Sequence, residues 1–335
     1  ESILWTGSSS TAWDINGAQN WKYDSDSTVT KFYNDDVITF DDTATTGNVV
    51  LNATVQPASV LFVNSSLDYT VSGSGNIAGA LGITKAGSAT LTLESNHSYQ
   101  GITNIMAGTL VVKGTLANSS ITNSGVLVYD YNSNQSIPYL VSGAGSIVKR
   151  GSGTLTIPNN KNFSGGVLIE QGTLAVSAGG WYVNPFGLTN NVVVESTGTL
   201  STAGAHSLGV DQNNVHVKGT LTLGAEQYIS NLQMTAGLVQ GPGALRTWGG
   251  TMTFNASATG SVISAPLEIR GETTLNVADG AAADDLLISG VISVDNKLNK
   301  NGDGVLRLTG ANTYNADTTV NGGTLEVTGN SLNDT

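Results

Sequence analysis

Four aspartates near the start of the chain are the residues whose type and spacing best suit metal chemistry. Asp35 and Asp36 precede the apolar run 37–40, and Asp41 and Asp42 follow it. Several carboxylate and carbonyl oxygens are what Ca²⁺ requires of a protein. The spacing matches neither an EF-hand nor the nonapeptide Ca²⁺ repeat. Two interpretations therefore stay open: structural turns, or a Ca²⁺ site, which is the one cofactor that this sequence suggests.

The three histidines show no catalytic pattern. His97, His206 and His216 are far apart, and neither a His-Glu-x-x-His sequence nor a serine elbow accompanies them. A solenoid could align them, but we expect solvated turn histidines. Paired carboxylates, or aspartates with Arg and Lys as in pectate-lyase-like β-helices, would indicate an enzyme, yet the chain has only 13 Lys and Arg. We expect a protein that is not an enzyme.

Aromatic residues in two irregular segments are the candidates for ligand or partner contact. They lie where the repeat pattern described below is interrupted, and they are Trp181, Tyr182, Phe186 and Trp248. Aromatic side chains on loops suit sugar stacking or a partner hot spot. The alternative, that they cap or plug the core at an irregular coil, stays open.

Composition excludes several classes of function. The formal net charge is -12 and only 11% of residues are charged, which opposes nucleic acid and anionic membrane surfaces as partners. There is no Cys, so disulfides and cysteine metal sites are ruled out. No apolar stretch approaches the roughly 20 residues that span a bilayer, and we expect no membrane insertion by this segment. The 42 Gly and the abundance of Ser, Thr, Asn and Val favour short strands and turns.

An internal repeat organises the chain. Each of three copies has a Lys, a Gly two positions later, an aromatic residue 14 after the Lys, and a closing Gly 23 after it. These repeat-defining residues are Lys85, Gly87, Tyr99 and Gly108; Lys149, Gly151, Phe163 and Gly172; and Lys300, Gly302, Tyr314 and Gly323. Self-similarity at a fixed period indicates a repeat architecture.

The repeat reads as short strands separated by turns. Leu91 and Leu93 alternate with threonines, as Leu155 and Ile157 do in the second copy, which puts apolar side chains on one face and polar ones on the other. The intervals between the repeat lysines fit coils of about 21 residues, a plausible size for solenoid turns. This pattern predicts an all-β protein, a parallel β-solenoid.

The copies resemble the autotransporter-associated β-strand repeat, also called the passenger-associated transport repeat. Its pattern is roughly Lys-x-Gly-x-Gly-Thr-Leu-x-Leu, then Asn-x-Tyr-x-Gly-Gly-Thr, then Gly-Thr-Leu, and residues 304–325 match it best. The resemblance implies a secreted, surface-displayed, right-handed parallel β-helix that acts as a stalk or passenger. The opening Trp-rich segment is similar to the head of such proteins.

The predicted architecture is thus a right-handed parallel β-solenoid with an N-terminal β cap. Residues 1–75 form the cap and first strands, with Trp5, Trp13 and Trp21 as its core, since a solenoid end must be covered. Residues 76–335 form the solenoid, with clear repeats near 83–112, 147–176 and 298–327.

The expected function is a structural or adhesive module at the bacterial cell surface or outside the cell: a stalk, a passenger or a filament-forming subunit. Expected partners are a second copy, by end-to-end self-association, a surface polysaccharide, or a host or partner protein. The alternative is a carbohydrate-binding or polysaccharide-cleaving β-helix.

Overall fold

The computed structural model describes residues 1–117, 120–157, 162–176, 192–208, 214–229 and 231–329. In these ranges the chain consists of short strands and turns, without an α-helix. Accordingly, no helix with the length and apolar character needed to cross a membrane occurs in them. The chain divides into two compact units: the first contains 1–132 and 138–148, and the second contains 133–137 and 149–335.

The strands are numbered in chain order. The first nineteen are β1 (Ser2–Trp5), β2 (Trp21–Tyr23), β3 (Val29–Thr30), β4 (Val37–Asp41), β5 (Asn48–Val50), β6 (Thr54–Val55), β7 (Ser59–Val63), β8 (Tyr69–Ser72), β9 (Asn76–Ile77), β10 (Ile83–Ala86), β11 (Thr90–Leu93), β12 (Thr103–Ile105), β13 (Thr109–Val112), β14 (Ile121–Asn123), β15 (Val126–Asp130), β16 (Gln135–Ser136), β17 (Val141–Gly143), β18 (Ser146–Arg150) and β19 (Thr154–Ile157). The others are β20 (Asn162–Phe163), β21 (Val167–Val176), β22 (Val192–Thr202), β23 (Asn214–Val217), β24 (Thr220–Leu223), β25 (Gln227–Tyr228), β26 (Asn231–Met234), β27 (Leu238–Gln240), β28 (Leu245–Thr247), β29 (Gly250–Phe254), β30 (Ser261–Ile263), β31 (Leu267–Ile269), β32 (Thr273–Val277), β33 (Leu286–Ile288), β34 (Ile292–Ser293), β35 (Leu298–Asn301), β36 (Val305–Leu308), β37 (Thr318–Val320) and β38 (Thr324–Val327).

The first unit stacks its strands into three parallel ladders. The first ladder runs β4, β7, β10, β12, β14 and β17. The second runs β5, β8, β11, β13 and β15. The third is short: β6 pairs with β9, and a single bridge joins His97 to Leu116. The chain visits the ladders in this order in each coil, which is the connectivity of a β-solenoid.

An aromatic cap lies at the start of the first unit. β1 is parallel to β4, but β2 and β3 run antiparallel, so the ladder edge is covered by the chain itself. Trp5, Trp13 and Trp21 are fully buried, as the sequence predicted. Phe40 continues the cluster, with its ring 5.6 Å from that of Trp21 and stacked 4.3 Å from that of Phe62. A boundary between cap and solenoid at residue 75 stays a prediction.

The second unit repeats the three-ladder plan. Its first ladder runs through the beginnings of β21 and β22, then β23, β26, β29, β32, β35 and β37. Its second ladder contains β16, β19, the ends of β21 and β22, then β24, β27, β30, β33, β36 and β38. Its third ladder is β25, β28, β31 and β34.

Aliphatic columns form the core. In the second ladder of the second unit, one column of fully buried side chains passes from coil to coil: Leu155, Leu174, Leu200, Leu221, Val239, Ile263, Ile288 and Leu308. Their strand neighbours, such as Thr156, point outward and are only partly buried. The predicted all-β, parallel β-solenoid fold and its alternating register are thereby confirmed.

Coil length varies more than the repeat suggested. Partners in the first ladder such as Asn214 and Asn231 are 17 positions apart, whereas Thr273 and Leu298 are 25 apart. The extra residues lie in the turns, because the register of each strand pair is fixed by its inward side chains.

Candidate functional site

The three repeat lysines occupy buried corners between the first and second ladders. Lys85, Lys149 and Lys300 are each 0% exposed. Each Nζ donates to main-chain oxygens of the next residue, of the residue two positions on, and of the residue 22 positions on in the following coil. The acceptors are Ala86, Gly87 and Ala107; Arg150, Gly151 and Gln171; and Asn301, Gly302 and Gly322.

These lysines serve the fold and are not free amines. Around Lys300 the three Nζ–O distances are 3.1, 2.8 and 3.0 Å. Burial lowers the pKa of Lys85 to about 8, against the opposing effect of the Asp68 and Asp42 carboxylates, and burial also lowers the pKa of Lys300. At pH 7 the ammonium of Lys85 is therefore still charged, and three carbonyl dipoles replace its water.

The repeat glycines turn the chain at the same corners. All six have φ between 65° and 78°, where side chains with a Cβ are strained: Gly87, Gly108, Gly151, Gly172, Gly302 and Gly323. A Cβ on Gly108 would lie 2.4 Å from the main-chain oxygen of Gly87 in the preceding coil. Glycine is thus required both by the backbone conformation and by the close approach of the next coil.

Two of the repeat aromatics, Tyr99 and Tyr314, are buried and hydrogen-bonded through their hydroxyl groups. Tyr99 is 0% and Tyr314 is 3% exposed. The hydroxyl of Tyr99 is 2.7 Å from Oγ1 of Thr103, and that of Tyr314 is 2.8 Å from Oγ1 of Thr318, so the contact recurs four positions along in both units. The side chain of Phe163 lies outside the described part of the structure.

The four aspartates near the start of the chain make different contacts. Asp36 is 6% exposed and accepts hydrogen bonds from the main-chain nitrogen of Glu1 at 2.9 Å and from the N–H of Tyr33 at 2.8 Å. Asp41 accepts from the N–H of Thr43 at 2.8 Å, and Asp35 lies in the turn with φ 69°.

Asp42 binds a turn of the next coil. Its carboxylate accepts the N–H groups of Ser65, Ser66 and Leu67 at 2.9–3.0 Å. These hydrogen bonds, that of Ser66 first, lower the pKa of Asp42 to about 2. Within the described ranges, no three His, Cys, Asp or Glu side chains are grouped so as to hold a metal ion. The Ca²⁺ site at Asp35, Asp36, Asp41 and Asp42 stays a prediction.

The expectation of solvated histidines is wrong for two of the three. His97 and His206 are both 2% exposed. His97 stands in the core column of the third ladder, where its Nδ1 accepts the N–H of Ile77 at 3.2 Å. Burial lowers the pKa of His97 to about 4. His216 is half-buried, with Nε2 3.0 Å from Oγ1 of Thr235.

The buried imidazole of His97 predicts acid sensitivity. Its folded pKa of about 4 lies below the ordinary value of 6.5, so between these pH values the unfolded chain binds a proton that the folded chain does not. Stability should fall by about 2 kcal/mol between pH 7 and pH 5 from this group. In His97→Asn, which keeps an acceptor for Ile77 but does not titrate, that part of the loss should disappear. Urea unfolding at the two pH values measures it; equal losses in both proteins would contradict the assignment.

Three of the four predicted contact aromatics, Trp181, Tyr182 and Phe186, lie outside the described residues. The fourth, Trp248, is 59% exposed. Its ring stacks on Tyr228 at 5.2 Å with an angle of 3°, and Tyr228 stacks on His206 at 5.2 Å. The side chain thus stands at the exposed end of a three-ring stack on the outside of the third ladder.

An ion-pair ladder that was not predicted from the sequence runs beside this stack. Glu268 accepts Arg246 Nε at 2.8 Å and Arg270 Nη2 at 2.7 Å, and Arg246 also contacts Glu226 at 3.4 Å. The Arg270 guanidinium carbon lies 5.9 Å from the centre of the Trp248 ring. In the sequence, Glu226, Arg246 and Glu268 alternate in charge at intervals of about 20 residues. That alternation could have indicated the ladder, but the coil boundaries needed to align the three residues are not visible in the sequence.

Comparison with known proteins identifies the repeats. The family described as Passenger-associated-transport-repeat matches residues 83–112, 147–176 and 298–327. The Adhesin BmaC autotransporter of Brucella suis biovar 1 (strain 1330) is 28% identical over 238 residues, which are 71% of this chain and 5% of that relative. The chain therefore spans a small part of the relative's length. No solved structure matches the chain.

Each matched segment contains the same three structural features: the buried lysine, the positive-φ glycines and the strand with alternating inward and outward side chains. The match at 83–112 lies in the first unit. The match at 298–327 and nearly all of the match at 147–176 lie in the second. The chain is a β-solenoid that carries three passenger-associated-transport-repeats.

Proposed function

We propose that this chain is a structural or adhesive module of a larger protein displayed on the bacterial cell surface or released outside the cell. The observation that carries the proposal is the set of three passenger repeats built into a parallel solenoid. The relative named as an autotransporter adhesin supports the same class of function. The solenoid supplies a stiff scaffold because each coil is bonded to its neighbours along whole strands.

A non-catalytic role belongs to the proposal. Several ionisable groups are engaged in the architecture: Asp42 holds the turn of the next coil, Lys85 and Lys300 hold carbonyl groups, and His97 lies in the core. Groups committed to such contacts are poorly placed for proton transfer to a substrate.

The adhesive side of the proposal has a candidate contact in Trp248. It combines an exposed indole with neighbouring arginines, a composition that is enriched at binding hot spots. Val291 and Val294, 37% and 39% exposed, flank β34 of the same ladder. We propose this face as one place where a partner protein binds.

Antibody labelling of intact and permeabilised cells of the source organism tests the location. An antiserum raised against the purified chain should label intact cells or the culture medium. Signal that appears only after permeabilisation would overturn the proposal. A cytoplasmic protein of the same organism, probed in parallel, controls for leaky cells.

A further inference from the structure

Two columns of hydrogen-bonding side chains cover the outside of the first ladder in the second unit. The register aligns Asn214, Asn231, Thr251, Thr274, Asn299 and Thr319 in one column, and His216, Gln233, Thr253, Asn276 and Asn301 in the other. Asn321 extends the second column, since its amide donates to Asn301 Oδ1 at 2.8 Å. We call these twelve residues the polar strip. All of them are exposed or half-buried.

The strip has no carboxylate, ammonium or guanidinium group, although the whole chain has a net charge of -12. His216 does not change this at neutral pH, because burial, and then the charge of Lys218, lower its pKa. The other ladders of the same unit differ: the third pairs Arg246 with Glu268, and the second pairs Arg307 with Glu326. The uncharged character is therefore a property of the strip itself, and charged groups lie at its margins: Glu272 Oε1 accepts Asn299 Nδ2 at 2.9 Å, and Lys218 pairs with Glu195 at 2.9 Å.

The strip offers both hydrogen-bond donors and acceptors. Asn231 Nδ2 donates to Asn214 Oδ1 at 2.8 Å, so that the two amides hold each other in line along the column. Each amide has two N–H groups and two lone pairs on its oxygen, so one such bond leaves further capacity. Surfaces of this kind match ligands whose hydroxyl groups both donate and accept.

A groove of about 430 Å³ lies at the beginning of the strip. Asn214, His216, Gln233 and Thr253 line it, and Val193, which pairs with His216 in the register, adds an apolar side chain. Its volume falls in the range of small-molecule binding sites. The groove and the polar strip, observed separately, therefore coincide.

The geometry points to one class of ligand. Adjacent strands of a parallel ladder are about 4.8 Å apart, which is close to the length of one pyranose unit in an extended β-linked glycan. We propose that the polar strip binds an extended, uncharged, β-linked polysaccharide that lies along the ladder, with about one sugar ring per coil. This inference rests on the proposed surface function and adds to its adhesive role a second class of partner, at a face other than that of Trp248.

Calorimetric titration of the full chain with defined oligosaccharides tests the proposal. The probes are neutral hexamers of β-1,4-glucan, β-1,4-mannan and β-1,4-xylan, the corresponding glucan dimer, and the glucan hexamer with its C6 hydroxyls oxidised to carboxylates. At least one neutral hexamer should bind, more tightly than the dimer. The carboxylated hexamer should bind weakly or not at all. Replacing two strip residues, Gln233→Ala with Asn276→Ala, should weaken binding about tenfold or more.

The matched control replaces two outward threonines of the second ladder, Thr156→Ala with Thr222→Ala, and should leave affinity unchanged. The proposal is wrong if no neutral hexamer binds at millimolar concentration, if only the carboxylated hexamer binds, or if the strip variant binds like the wild type. Sedimentation of both proteins tests whether two copies associate through the strip. A dimer that the wild type forms and the strip variant does not would identify the strip as a self-association surface and would contradict the proposal. None of these results depends on the cell-surface labelling, so the two proposals fail separately.

Discussion

Leu155→Asp is expected to abolish the cooperative folding of the second unit. Leu155 is fully buried and pairs in register with Leu174 on one side and Gln135 on the other. A carboxylate at this position would enter an aliphatic column without a partner, which costs more than about 4 kcal/mol, a large part of the stability of a typical domain. Far-ultraviolet circular dichroism with thermal melting, and size-exclusion chromatography for aggregation, would measure the loss.

Thr156→Asp is the control for the register. Thr156 is adjacent in sequence but points outward, opposite Ala175 of the next coil. The same charge should there change stability by less than about 0.5 kcal/mol. Equal tolerance or equal damage in the two variants would disprove the inward and outward assignment of this strand.

Lys300→Met is expected to destabilise the second unit by about 2–4 kcal/mol. Methionine has nearly the same length and fills the buried space, but it removes the donors from the carbonyls of Asn301, Gly302 and Gly322. Hydrogen bonds to charged groups contribute about 1.5–3 kcal/mol each, and losing the donor leaves partly buried oxygens without that partner. The relief of desolvating the ammonium offsets part of that cost. Urea unfolding at pH 7 measures the difference.

Lys297→Met provides the comparison, because Lys297 is exposed three positions earlier in the chain. The urea concentration at the midpoint of unfolding should be the same for Lys297→Met as for the wild type. Indistinguishable midpoints for Lys300→Met and wild type would mean that the three carbonyl contacts contribute nothing net, and the lysine corner would then lose its structural role.

The fold could be predicted from the sequence because its signals are local. The alternation at Leu91, Leu93, Leu155 and Ile157 has the period of a strand, and all four side chains are buried. The repeat also fixed which positions recur in each copy, and the family match covers the same segments. Positive φ at the repeat glycines explains why that residue type recurs.

The interior positions of polar residues could not be predicted. Lys is seldom fully buried, and nothing in the sequence near Lys85 shows that main-chain oxygens will surround its Nζ. The same holds for His97, whose neighbours Asn96 and Ser98 are exposed and suggest a solvated turn. Burial of such groups depends on the turn geometry of two coils together.

The polar strip could not be predicted from the sequence for a different reason. Its members are aligned by register, yet the intervals between them change from 17 positions between Asn214 and Asn231 to 25 between Thr274 and Asn299. A search at one fixed period cannot detect a column whose spacing varies coil by coil. The resemblance to passenger repeats could not help either, because the three family matches leave most of the strip uncovered.

The buried lysine connects the beginning of its coil to the end of that coil. In each repeat its third acceptor is the residue directly before the closing glycine: Ala107 before Gly108, Gln171 before Gly172, and Gly322 before Gly323. A side chain of fixed length can reach that oxygen only if the intervening chain returns to the same corner after one turn. In all three coils that contain the lysine the interval from the lysine to the closing glycine is 23 positions, whereas register partners elsewhere in the second unit are, for example, 17 and 25 positions apart. Insertions during evolution should accordingly accumulate between the repeats and not inside them.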